Sequence, residues 1–241
     1  NIGGCYNVAL GRKTLCCNTY GKFNTASGNY TLARNTTGCE NTAFGYVSLL
    51  DNTTGCYNTA FGTCSLEKNT TACYNTGIGR QSLRSTTTGK QNAGFGNRSL
   101  YSNTTGNYNT GIGDHAGYGI TGGTRNTTVG YASMLCTSTG DDSVAVGSYS
   151  LRCNTTANQN VAVGACSLYA NTTGAQNTAV GHGALYSNGY AHSNTAVGQC
   201  ALRNNCCSGA KENVAVGVQA LLANCAGCRN VAVGPSALQC N

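Results

Sequence analysis

The side chains best able to do chemistry in this 241-residue chain are its sixteen cysteines. They could bind metal or pair as disulfides, and spacing separates the two. A structural zinc site takes two Cys-x-x-Cys pairs, or one such pair with a pair of histidines. The chain has a single Cys-x-x-Cys, Cys225 to Cys228, and three histidines, His115, His182 and His192. No metal and no cofactor is therefore expected. Disulfides fit better, and thiols at this density point to an oxidising, extracellular setting. Cys39, Cys56 and Cys73 are 17 residues apart, as are Cys136 and Cys153, while Cys206 and Cys225 are 19 apart. These seven are the disulfide candidates.

Acid–base chemistry has little to work with. Asp114-His115 and Asp141-Asp142 adjoin, but seven acidic residues and three histidines leave neither pair with a nucleophile at a fixed spacing. No enzyme is expected. The net charge of +7 is spread along the chain without a lysine or arginine run, so no nucleic-acid partner is expected. No stretch reaches the roughly 20 apolar residues of a membrane-spanning helix, so no membrane insertion is expected either.

The elements that must position these residues follow from a repeat. Fourteen glycines, from Gly11 to Gly234, recur every 17 residues, save for a gap of 19 between Gly198 and Gly217. A period this short marks a stacked repeat in which each unit buries its apolar face only against its neighbours. The residue before the glycine is large and apolar in 13 of 14 units, and Leu stands four after it in 12 of 14. Two core ladders are therefore expected. One runs through Phe44, Phe61, Ile78, Phe95, Ile112, Val146, Val163, Val180 and Val197. The other runs through Leu15, Leu49, Leu66, Leu83, Leu100, Leu151, Leu168, Leu185 and Leu202. A helical stripe is missing, and short strands punctuated by Gly and Asn-Thr-Thr-Gly turns fit better. The expectation is an all-β fold: one parallel β-solenoid domain, 1–241, of about 14 coils and roughly 65–70 Å long at the parallel-strand spacing. Irregularities are expected at 114–125, where Gly117 replaces Leu and Ile120 replaces Asn, and at 203–212, where two residues are inserted.

Asparagine forms two further columns. Four residues before the glycine stand Asn7, Asn24, Asn41, Asn58, Asn75, Asn92, Asn109, Asn160, Asn177, Asn194, Asn213 and Asn230; seven after it stand Asn18, Asn35, Asn52 and their successors. Asn tolerates left-handed backbone and can bond to the same amide one coil on, so both columns read as corner ladders. Nine Asn-x-Ser/Thr sequons are glycosylation candidates: Asn29, Asn35, Asn52, Asn69, Asn97, Asn103, Asn126, Asn154 and Asn171.

The run Asn177-Thr-Ala-Val-Gly-His-Gly-Ala-Leu185, repeated as Asn213-Val-Ala-Val-Gly-Val-Gln-Ala-Leu221, resembles the head repeats of the trimeric autotransporter adhesins along essentially the whole chain. The resemblance implies a left-handed parallel β-roll on an elongated cell-surface protein. The period of 17 is longer than that family's, and the family is poor in cysteine.

The functional expectation is a structural subunit of an extracellular fibre, filament or surface appendage. Asn1 and Asn241 share one phase of the repeat, which fits equally an excerpt of a longer array and end-to-end stacking of copies with disulfide staples; self-association, end to end or lateral, is expected. A cell-surface adhesin that binds glycans or surfaces is the alternative. Ice binding through threonine columns such as Thr42, Thr59 and Thr76 is a minor one.

Overall fold

The computed structural model describes residues 2–205 and 207–240. The chain forms two compact units, Asn1–Gly122 and Gly123–Asn241, and the boundary falls inside the stretch 114–125. Both units are parallel β-solenoids without a helix among the described residues. The first carries β1 (Val8–Leu10), β2 (Thr25–Ser27), β3 (Thr42–Phe44), β4 (Thr59–Phe61), β5 (Thr76–Ile78), β6 (Ala93–Phe95) and β7 (Thr110–Ile112). The second carries β8 (Thr127–Val129), β9 (Val144–Val146), β10 (Val161–Val163), β11 (Thr178–Val180), β12 (Thr195–Val197), β13 (Val214–Val216) and β14 (Val231–Val233). Within each unit every strand pairs with the next in sequence, one repeat apart: Thr42 with Thr59 in the first, Val161 with Thr178 in the second.

Each coil makes its backbone hydrogen bonds to the coils beside it. In the coil of β4, Gly62 N–H reaches Phe44 O at 2.8 Å, and Thr59 N–H reaches Asn75 O at 2.8 Å. The anchor glycine is required by two facts. Its φ is positive, +129° at Gly62, and a Cβ there would lie 2.6 Å from the carbonyl oxygen of Gly79. Only glycine lets successive corners approach this closely.

Three other positions per coil are left-handed: five before the glycine, two after it and four after it, as at Tyr57 (φ 61°), Cys64 (57°) and Leu66 (49°). No asparagine has a positive φ among the described residues, which corrects the expectation that the Asn columns sit in left-handed corners. Their task is done by side chains instead.

The core is thin. Most coils contribute a leucine, a strand alanine or glycine, a small residue three after the anchor, and the two asparagines. Leu49, Leu66, Leu83, Leu100, Leu151, Leu168, Leu185 and Leu202 are fully buried, and Leu15 is buried at the first coils. The second expected core ladder lies outside. Phe44, Phe61, Ile78, Phe95, Ile112, Val163, Val180 and Val197 are between 36% and 44% exposed, and Val146 is half-buried. The cause is the period of two along a strand. With Ala43 or Ala60 pointing inward, the residues on either side of it must point outward.

The coil at 114–125 keeps the order of turns and strand of its neighbours, with an added hydrogen bond from Tyr118 N–H to His115 O at 3.2 Å. Gly117 takes the left-handed geometry of the usual leucine (φ 64°), and Ile120 is fully buried in the Asn column, returning apolar volume to that coil. At 203–212 the insertion is absorbed in the turn. Asn213 still bonds Asn194 and Asn224 still bonds Asn205, across 19 residues instead of 17.

Candidate functional site

The wall is built from columns, one residue per coil, and the columns divide by what they can bind. The two Asn columns are internal. In the first, Asn41 Oδ1 accepts both the backbone N–H and the amide of Asn58, each at 3.0 Å, and Asn58 Nδ2 also donates to Ala72 O at 2.8 Å. The same ladder links Asn7, Asn24, Asn75 and Asn92 in the first unit, and Asn160, Asn177, Asn194, Asn213 and Asn230 in the second. Asn109 joins it through its backbone N–H to Asn92 Oδ1.

The second column repeats the device: Asn35 Nδ2 donates to Asn18 Oδ1 at 2.8 Å and to Gly38 O at 2.9 Å. It fails where another residue replaces asparagine. Thr86 leaves Asn69 Oδ1 without a donor, and Ile120 does the same to Asn103 Oδ1. The hydroxyls of Thr86 and Thr137 are themselves buried without a partner.

This geometry removes most glycosylation candidates. Asn35, Asn52, Asn69, Asn103, Asn126, Asn154 and Asn171 are buried, with the amide nitrogen bonded inside the wall, so a glycan on any of them is incompatible with the fold. Asn29 and Asn97 lie in a column that reaches solvent.

The cysteine columns hold thiols. Cys39, Cys56, Cys73, Cys136, Cys153 and Cys225 are all unpaired, which corrects the expected staples; Cys206 lies outside the described residues. Stacking in register sets the side chains parallel rather than converging. Cys56 Sγ instead accepts the N–H of Cys39 at 3.1 Å, and Cys73 Sγ that of Cys56 at 3.2 Å. Burial raises the Cys56 thiol above its ordinary pKa, as it does for Cys136, where Cys153 adds to the effect. Both are poor nucleophiles near neutral pH.

The acidic pairs have structural partners. Asp114 accepts from Asn97 Nδ2 at 2.8 Å and lies 3.0 Å from His115 Nδ1. Asp141 holds Thr124, through its backbone N–H and its hydroxyl, and Asp142 holds Arg125. Threonine hydroxyls after the glycine are also spent on the wall, as where Thr36 Oγ1 donates to Thr53 O at 2.9 Å.

Several columns face solvent among the described residues, and two of them combine a regular array with a distinct chemistry. One is the outward strand face, with its paired columns of Thr or Val and of Phe, Ile or Val. Sequence reasoning placed half of this face in the core; the invariably small residue beside it was the signal that the interior there is crowded. The other is the column five after the glycine, where tyrosines and arginines stack. No protein-family description, no curated protein and no solved structure matches the chain. The likeness to the adhesin heads therefore rests on the repeat motif and the parallel solenoid.

Proposed function

We propose that this protein is a structural subunit of an extracellular fibre or surface coat, whose solenoid units associate side by side through the outward strand face. One observation carries the reading: that face is a double column of uncharged side chains. Thr42 with Phe44, Thr59 with Phe61 and Thr76 with Ile78 line it in the first unit; Val161 with Val163, Thr178 with Val180 and Thr195 with Val197 line it in the second. Rows of solvent-facing Phe, Ile and Val at one coil spacing form a contiguous apolar patch of the kind that marks an interaction surface. Phe44 and Phe61 already stack, at 4.8 Å with their planes 9° apart, which makes the face regular as well as apolar. The internal ladders support the same reading, since a wall that bonds coil to coil holds such a face in register. The location outside the cell rests on the resemblance of the repeat to surface adhesins.

Electron microscopy of the purified protein, with and without reductant, tests the proposal. Side-by-side assemblies that survive reductant are expected, because the association is apolar. Isolated particles at every concentration would overturn it.

A further inference from the structure

The column five residues after the anchor glycine differs between the two units. In the first it reads Glu67, Arg84, Tyr101, Tyr118. Arg84 donates Nε to Glu67 Oε2 at 2.6 Å and Nη1 to Tyr101 Oη at 2.7 Å, so its charge is answered within the wall. In the second it reads Arg152, Tyr169, Tyr186, Arg203. Tyr169 and Tyr186 stack at 4.9 Å with planes 1° apart. The Arg152 guanidinium lies 5.5 Å from the Tyr169 ring and 5.7 Å from that of Tyr149, and Arg203 lies 5.1 Å from the Tyr186 ring. Arg152 Nη1 donates to Tyr169 Oη at 3.0 Å and its Nε is buried without an acceptor, while Arg203 Nη1 lies 3.6 Å from Cys200 Sγ. The carboxylates of this unit are engaged elsewhere: Asp141 on Thr124, Asp142 on Arg125 and Glu212 on Arg229.

We infer that this Arg–Tyr–Tyr–Arg column is a binding site for an acidic polysaccharide. Its two guanidinium groups cap a two-ring stack across four coils, roughly 14 Å over three parallel-strand spacings. Contact with a ring face leaves the cation charged, and the planar fork of each arginine keeps donors for an outside carboxylate or sulfate. The faces of Tyr169 and Tyr186 are covered by each other and by the arginines. A nucleobase therefore has no face to stack on, which removes a principal contribution to single-strand binding. What remains is a line of phenolic hydroxyls and guanidinium edges, suited to a polymer that carries hydroxyls and anions together. Uronate and sulfated sugars share that chemistry. The site needs no lateral association, so it stands apart from the proposal above.

The test is the affinity of the full chain for polygalacturonate and heparin, with neutral dextran and single-stranded DNA as comparisons. Binding to one or both acidic sugars but not to dextran is expected; preference for the first identifies carboxylate as the recognised group, and for the second, sulfate. Arg152→Gln with Arg203→Gln is expected to weaken it about tenfold or more, and Arg203→Gln alone, at an exposed residue, carries the test if the pair melts early. Arg80→Gln with Arg98→Gln, an equal loss of charge in the first unit, is expected to change affinity less than about twofold. No binding to either sugar, an equal loss in the control pair, or tighter binding of DNA through the same arginines would overturn the inference.

Discussion

Asn58 gives both its backbone N–H and its side-chain amide to one oxygen, Oδ1 of Asn41, at 3.0 Å each. Its own Oδ1 accepts the N–H of Asn75 at 3.0 Å, so one residue joins three coils. Replacing it leaves the Asn75 N–H buried without a partner and takes one of two donors from Ala72 O, which keeps Asn69 Nδ2 at 3.1 Å; a buried group without a partner costs about 1–3 kcal/mol. Asn58→Ala is expected to lower unfolding stability in urea by about 1–3 kcal/mol. The converse change repairs a natural gap. Thr86→Asn supplies the donor that Asn69 Oδ1 lacks and is expected to stabilise by about 1–2 kcal/mol.

Two glycines should respond in opposite ways. Gly62 has φ +129°, and a Cβ there meets Gly79 O at 2.6 Å; Gly183 has φ +64°, and a Cβ there meets only Cys200 Sγ, at 3.6 Å. Side chains with similar φ already occupy the equivalent position elsewhere, as at Cys64 and Cys166. Gly62→Ala is expected to cost about 3 kcal/mol, and Gly183→Asn less than about 1 kcal/mol, read from thermal melts.

These contrasts show what the sequence discloses. The strands, the buried leucines and both amide ladders follow from residue type and period. The side on which Phe61 lies does not follow from its hydrophobicity, because a three-residue strand puts Ala60 inside and so turns Phe61 out. The left-handed positions also left no trace, since Tyr57, Cys64 and Leu66 share no chemistry that favours that geometry. The Arg152–Tyr169 contact needed the coil register, which places residues 17 apart side by side.

Glycan occupancy follows from burial. Expressed in a glycosylating cell, the folded protein is expected to carry sugar at Asn29 and Asn97 only. Peptide mass spectrometry after enzymatic release in isotope-labelled water reads this directly. A glycan on Asn52, whose amide is bonded to Asn35 Oδ1 at 2.8 Å, would contradict the buried ladder.

Glu67 provides a pH test. Burial raises its pKa, but the hydrogen bond and charge of Arg84 outweigh burial and hold it below the ordinary carboxylate range. A lowered carboxylate pKa contributes stability at neutral pH that is lost as pH falls through the lowered value. Carboxyl-carbon NMR is expected to show Glu67 titrating below that range. In Arg84→Gln, burial is opposed only by the hydrogen bond from Cys64 and the charge of Lys68, and the titration is expected to move up.

The central claim is that the outward strand face holds copies of the chain together, and sedimentation velocity across a concentration series tests it most directly. The wild-type protein is expected to sediment faster as concentration rises. Phe61→Lys with Val180→Lys, one charge on the face of each unit, is expected to remove that dependence while leaving the circular dichroism spectrum unchanged. A folded double variant that associates as strongly as the wild type would contradict the account.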